Sequence, residues 1–340
     1  MSDVGMGDSG MGDMRAIVQR GYGDPGEVLE LRDVTRPEPG AHEVLVRVRA
    51  SSVNPADWFQ LVGRPYVLRL GLGLARPKRR VRGKDVAGTV EAVGSKVTRW
   101  SPGAEVFGEL PDGAYAEYAV VAEDAALASK PANLGYPEAA AVPLAGITAL
   151  QGLRDAGGVR VGHRVLVCGA SGGVGTFAVQ IAKSLGAHVT GVCGTGALDL
   201  VRSIGADEVV DYTKEDFTRG DVRYDVIFDL VGNHAPSAYR RVLGRDGVYV
   251  AASGMPGGNM LGPLPYLLRV ALSSPRGRPT MKPFLAKSNP DDLTALAKLI
   301  ESDELRPVIG RTYGFTEIAA ALSGQGEGHA RGKTVVTIAP

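Results

Sequence analysis

The sequence predicts an α/β protein of two domains, a doubly wound parallel sheet joined to a compact β domain. Three observations carry that prediction. The apolar run Val165-Leu166-Val167-Cys168 breaks into a glycine-dense turn, Gly169-Ala170-Ser171-Gly172-Gly173-Val174-Gly175, and continues as an amphipathic helix. Short apolar strands then alternate with helices as far as Ala252. Ahead of the turn, from Met14 to about Pro143, short strands are instead punctuated by Gly, Pro and Asp-Gly.

In chain order, residues 1–13 repeat Gly, Met, Asp and Ser and lack the basic start and apolar core of a signal peptide. They read as a disordered extension, or as an upstream start with Met14 opening the folded chain. Residues 43–50 alternate as a half-buried strand, followed by strands at 85–93, 105–107 and 115–121. The charge run from Arg76 to Lys84 reads as a solvated loop, with an anion or acidic-partner contact as the other reading. In the helix after the glycine turn, Val174, Ala178, Ile181, Ala182 and Leu185 share one face, and Gly186 closes it. A strand at 189–192, a helix at 198–204 and strands at 208–210, 224–229 and 248–252 follow. Residues 264–272 are apolar around a lone Arg269; a substrate lid or an oligomer contact is favoured over a membrane-surface helix. A helix at 293–300, another near Glu317 and a strand at 334–338 return to the β domain, leaving a cleft between two lobes.

At 340 residues the chain is long enough for two cores. Its formal net charge of +1 argues against nucleic acid as the main ligand. No window has the apolar length of a membrane span. The two cysteines, Cys168 and Cys193, fall at the ends of core strands and suggest reduced thiols, hence a cytoplasmic location.

The glycine turn brings backbone close to a phosphate, and a helix N-terminus adds unpaired N–H groups and a positive dipole end. Ser171, Gly172, Gly173, Val174 and Gly175 are therefore candidates to hold a dinucleotide pyrophosphate. The same residues also fit a G-x-S-x-G nucleophile elbow, with Asp229 and His234 following in hydrolase-like order. The further glycines at Gly172 and Gly175 favour the dinucleotide.

The chain resembles the medium-chain dehydrogenase/reductase superfamily, in its zinc-free, zeta-crystallin-type quinone-oxidoreductase-like branch. The resemblance runs from Met14 almost to the end. It rests on Ser52-Val53-Asn54-Pro55-Ala56-Asp57, Gly83-Lys84-Asp85-Val86-Ala87-Gly88, Gly146-Ile147-Thr148-Ala149, the glycine turn, Leu230-Val231-Gly232 and Gly328-His329-Ala330-Arg331-Gly332-Lys333. It implies a GroES-like β-barrel catalytic domain (14–143 and 287–340), a Rossmann domain (144–286), and a homodimer joined through an edge strand such as 280–286. Asn54 and Lys84 stand where zinc-dependent relatives carry Cys and His ligands. The five histidines share no ligand-like spacing, so no metal is expected.

Without a Lewis acid, the chemistry expected is hydride transfer to an acceptor already electron-poor, a quinone or an α,β-unsaturated carbonyl. By resemblance, Asn54 orients the ribose or substrate oxygen. Tyr66 is the candidate phenol, although Phe59 stands nearer the place where the family often has its Tyr; solvent is the alternative proton source. After the second strand, Gly194 and Thr195 stand where an acidic residue would select NAD, and by resemblance Tyr212 is placed against an adenosine 2′-phosphate. NADP(H) is favoured, with NAD(H) the alternative. Leu230, Val231 and Ser253, at the C-terminal ends of later strands, are candidates to line the ligand. By resemblance Thr148 belongs at the nicotinamide end and Lys333 reaches the cofactor from the second domain. Competing readings are an NAD(P)-dependent alcohol dehydrogenase or ketone reductase, and a cofactor-binding protein without turnover.

Overall fold

The computed structural model describes residues 12–252, 260–273, 278–328 and 331–338. Strands β1 (Asp13–Gln19) and β2 (Leu29–Thr35) pair as an antiparallel ribbon. Strands β3 (Glu43–Val53), β4 (Asp85–Val93), β5 (Glu105–Glu109), β6 (Tyr118–Ala122) and β7 (Leu127–Ser129) make the body of a barrel-like sheet. The alternation read in β3 has a direct cause: Val44, Val46 and Val48 all point into a core with Val86, Val90, Val106 and Leu127.

The second sheet comprises β8 (Arg164–Cys168), β9 (His188–Cys193), β10 (Glu208–Asp211), β11 (Tyr224–Asp229), β12 (Leu243–Ala251) and β13 (Thr280–Pro283). All six are parallel, in the order β10-β9-β8-β11-β12-β13. Val165, Leu166 and Val167 are fully buried because both faces of the sheet are covered. The chain then returns to the barrel sheet with β14 (Ile309–Gly314) and β15 (Lys333–Thr337), the latter pairing with β3. The architecture is the predicted α/β one.

This topology positions the site. From β8 the chain winds outward through β9 and β10, then starts again at β11 on the other side. The connections part there and leave a crevice at the C-terminal ends of β8 and β11, where Cys168 and Asp229 lie in register.

Three local expectations change. The edge strand expected over 280–286 ends at Pro283, the last residue opposite β12. The strand expected from Tyr115 begins at Tyr118, because the Tyr115 ring is buried and Ala116 makes only an isolated bridge to Ala16. The charge run is not solvated throughout. Arg82 is buried, its Nε donating to Gln19 Oε1 at 2.6 Å and its Nη1 to Asp112 at 2.8 Å. A guanidinium is tolerated inside when it is paired in this way.

Candidate functional site

The glycine turn sits where β8 enters the helix Gly173–Ser184. Gly169 takes φ +80°, which turns the chain sharply off the strand. Gly175 packs so closely that an added Cβ would lie 2.1 Å from the Gly169 carbonyl oxygen. The N–H groups of the helix's first turn have no acceptor within the helix and face the crevice. That cradle fits a pyrophosphate.

The turn lines a cleft of about 1450 Å³, larger than the roughly 300–1,000 Å³ of an ordinary small-molecule pocket. Ser171, Gly172, Gly173, Val174 and Gly175 form its floor. Gly194, Thr195, Gly196, Tyr212 and Arg331 enclose one end; Thr148, Leu230 and Val231 line the other. The β-domain wall contributes Pro55, Ala56, Trp58, Phe59, Lys84 and Glu109, and Leu267 and Leu285 add apolar surface. Ser253 lies outside the described residues.

At the first end the acidic group nearest Thr195 is Asp211, on the neighbouring strand. Thr195 Oγ1 donates to Asp211 Oδ2 at 2.5 Å, and Thr213 donates to Oδ1 through both its N–H and its hydroxyl. Those bonds, that from Thr195 foremost, hold the Asp211 carboxyl below its ordinary pKa. The Thr195 hydroxyl proton is therefore already committed. The missed residue here is Arg331. An added Cβ on Gly196 would lie 2.3 Å from its Nη2, and no carboxylate among the described residues pairs with it. Arg331 lies 135 positions beyond Gly196, too far apart for local pattern reading to join them. A parallel bridge between Gly172 and Gly332, with the Gly332 N–H donating to Ser171 O at 2.8 Å, brings the two segments together.

Beneath the β-domain wall lies a buried polar cluster. Asn54 caps the helix Pro55–Val62, its N–H donating to Asp57 Oδ2 at 2.9 Å. Asn54 Nδ2 donates to Asp85 Oδ2 at 2.9 Å, and Lys333 Nζ donates to Asn54 Oδ1 at 2.5 Å. Asp85 accepts further bonds from Ser52 Oγ at 2.6 Å and Leu144 N at 3.0 Å, with Lys333 Nζ at 3.4 Å. Burial, reinforced by the charge on Asp85, pushes the Asp57 carboxyl up to about 7. Asn54 and Lys333 thus lie one layer behind the cleft rather than on it. Lys333 reaches the glycine turn only with its alkyl chain, which packs against Gly173.

Tyr66 is not brought to the cleft. The residue is 38 % exposed and its ring centroid lies 4.8 Å from the Arg69 guanidinium, while its neighbours Pro65 and Leu68 line the cleft. The hydrolase alternative also fails on geometry. Asp229 accepts from Val231 N, Gly232 N and the Tyr249 hydroxyl, and the His234 ring packs against Phe217 and Tyr239. Cys168 and Cys193 border the cleft, but burial foremost raises both thiols and leaves them poor nucleophiles.

The residues present do not fit a catalytic zinc. Both ends of the Asn54 amide are already bonded, and the group on its oxygen is the Lys333 ammonium, which a cation there would have to displace. Among the described residues no three His, Cys, Asp or Glu side chains gather in a metal-holding group.

Two family models match the chain: the alcohol dehydrogenase GroES-like domain over residues 40–132 and the zinc-binding dehydrogenase over residues 204–336. The mitochondrial NAD(P)H oxidoreductase RTN4IP1 of Mus musculus is 33 % identical over 331 residues, covering 87 % of this chain and 82 % of its own length. The chloroplastic NADPH-dependent alkenal/one oxidoreductase of Arabidopsis thaliana is 34 % identical over 342 residues, covering 95 % and 79 %. The solved quinone oxidoreductase from Coxiella burnetii superposes with a TM-score of 0.84 at 29 % identity, covering 96 % of this chain and all of that one.

Proposed function

This chain belongs to the quinone-oxidoreductase-like branch of the medium-chain dehydrogenase/reductase family, and from that membership we propose a zinc-independent, NADPH-dependent reductase of quinones or α,β-unsaturated carbonyls. The observation that carries the reading is one continuous cleft, running from the glycine cradle to an apolar chamber walled by Trp58, Phe59, Leu267 and Leu285. The first part suits a dinucleotide; the second suits a flat, weakly polar acceptor.

When bound, reduced nicotinamide supplies the hydride. The protein's share is binding and orientation. The turn from Ser171 to Gly175 holds the pyrophosphate, and Thr148, Leu230 and Val231 border the nicotinamide. Asn54 acts from behind: it joins Lys333 to Asp85 within the catalytic domain (14–143 and 287–340), and Asp85 in turn accepts from Leu144 N at the start of the Rossmann domain (144–286). The preference for NADPH rests on Arg331 and Tyr212 rather than on the Thr195 hydroxyl. A guanidinium beside Gly196 attracts a 2′-phosphate, and the Tyr212 ring lies over Gly194.

Two free, buried cysteines suit a reducing compartment such as the cytosol, and no helix among the described residues is long and apolar enough to cross a membrane. Strand β13 is one of the two open edges of the nucleotide sheet, β10 being the other, and is in this reading the seam of a homodimer. The test of the function is the KM for NADPH and for NADH with an enone acceptor. The reading expects NADPH to be preferred; an NADH preference of about tenfold, some 1.4 kcal/mol, overturns its cofactor part.

A further inference from the structure

One charged pair on the cleft wall lies outside both the glycine turn and the Gly194–Arg331 end. Lys84 immediately precedes β4 and Glu109 ends β5; with Asp85 opposite Glu109 in the ladder, both leave the sheet at the same edge. Their side chains face the cleft, 17 % and 13 % exposed, with Lys84 Nζ 3.6 Å from Glu109 Oε1. Ser288 hydrogen-bonds the other carboxylate oxygen from the segment that returns to the barrel. The pair stands beside the nicotinamide end: the neighbouring Asp85 accepts from Leu144 N, and Thr148 lies one turn further along that helix.

The pair is loosely made. A well-formed charge-assisted hydrogen bond is about 2.7–2.9 Å, and this contact is longer. Burial foremost, with the charge on Asp85 second, raises the Glu109 carboxyl and weakens it as a counter-ion. An ammonium so held keeps N–H bonds to offer an oxygen in the cleft, where it would stabilise developing negative charge. Tyr66, turned away from the cleft, leaves that role open.

We propose that Lys84 is the catalytic acid of the reduction, donating first a hydrogen bond and then a proton to the acceptor's carbonyl oxygen. The inference rests on the reductase reading above. As hydride adds to the electron-poor carbon, the displaced electron pair moves to the carbonyl oxygen. The Lys84 Nζ–H bond breaks and an O–H bond forms, giving from an enone an enol that tautomerises to the saturated ketone. From a quinone it gives the hydroxydienone, which loses its new ring C–H proton to water as the second oxygen takes one, leaving the hydroquinone. The neutral amine regains its proton from water in the open cleft. Glu109 and Ser288 are positioning residues that hold the ammonium at this wall.

The test uses the full chain with Lys84→Met and Lys84→Arg, and reads NADPH binding, enone turnover and binding of 4-nitrophenol, whose phenolate stands in for the developing oxyanion. Lys84→Met is expected to bind NADPH within about twofold of wild type while kcat falls about 10²–10⁴-fold. It should also bind 4-nitrophenolate about tenfold or more weakly, as expected for loss of a charged hydrogen bond. Lys84→Arg should restore phenolate binding but little turnover, because a guanidinium does not release its proton. A Lys84→Met protein with turnover and phenolate binding near wild type overturns the assignment, and so does one that no longer binds NADPH. Wild-type protein that binds NADPH and phenolate yet consumes no cofactor with any acceptor overturns the reductase reading instead.

Discussion

Replacing Asp57 with Asn should remove a pH dependence that is built into the barrel domain. Asp57 is 1 % exposed; its Oδ2 accepts the Asn54 N–H, and its Oδ1 has no hydrogen-bond partner. Burial first, and the Asp85 charge second, lift its carboxyl from 3.8 to about 7, against the pull of the Asn54 N–H, Lys84 and Lys333. The folded state therefore binds this proton more tightly than the unfolded chain does. The stability it contributes is complete below the unfolded value and is lost as pH rises through about 7. At about 1.36 kcal/mol per pH unit, the loss between about pH 5 and pH 8 is on the order of 3 kcal/mol. D57N keeps an acceptor for the Asn54 N–H and cannot ionise. Both tryptophans, Trp58 and Trp100, pack against the barrel core, so their fluorescence reports this domain during urea unfolding. The variant's stability relative to wild type should rise by about 3 kcal/mol across that range. Parallel stability curves for the two proteins would refute the buried-proton account.

The remaining predictions concern the nucleotide end of the cleft. R331A should raise the KM for NADPH about 10- to 100-fold, the loss expected for a charged hydrogen bond, while the KM for NADH stays within about threefold. T195A should leave the NADPH KM within about threefold, because the Thr195 hydroxyl is already given to Asp211. G175A forces the Gly169 carbonyl away from a Cβ that would lie 2.1 Å from it. It should lower stability by about 1–3 kcal/mol in thermal unfolding and weaken NADPH binding in a fluorescence titration.

The nucleotide domain is legible in the sequence because its signals are local. A strand, a glycine turn and a helix lie close together in the chain, and burial of both sheet faces makes each strand an unbroken apolar run. The site is legible only where one segment builds it, as at Ser171 to Gly175. Where distant segments meet, residue types alone mislead. Lys333 is expected at the cofactor, but Asn54 and Asp85 hold its ammonium behind the wall. Tyr66 is expected at the acceptor, but its ring is held under Arg69. Arg331 belongs to the Gly328-to-Lys333 motif, yet only the fold sets it beside Gly196. The Lys84–Glu109–Ser288 group is likewise hidden, each member arriving from a different part of the chain. Asp57 carries a faint signal: an acid three residues after Asn54 fits a helix cap, but sequence does not reveal that the cap is buried.

The most direct measurement is NADPH consumption by the purified protein with a panel of quinones, enones and saturated aldehydes. The account predicts oxidation of NADPH with the quinones or enones and much slower oxidation with saturated aldehydes, whose carbonyl no conjugation makes electron-poor and no metal polarises. Turnover confined to saturated aldehydes, or tight NADPH binding with no consumption by any acceptor, would contradict it.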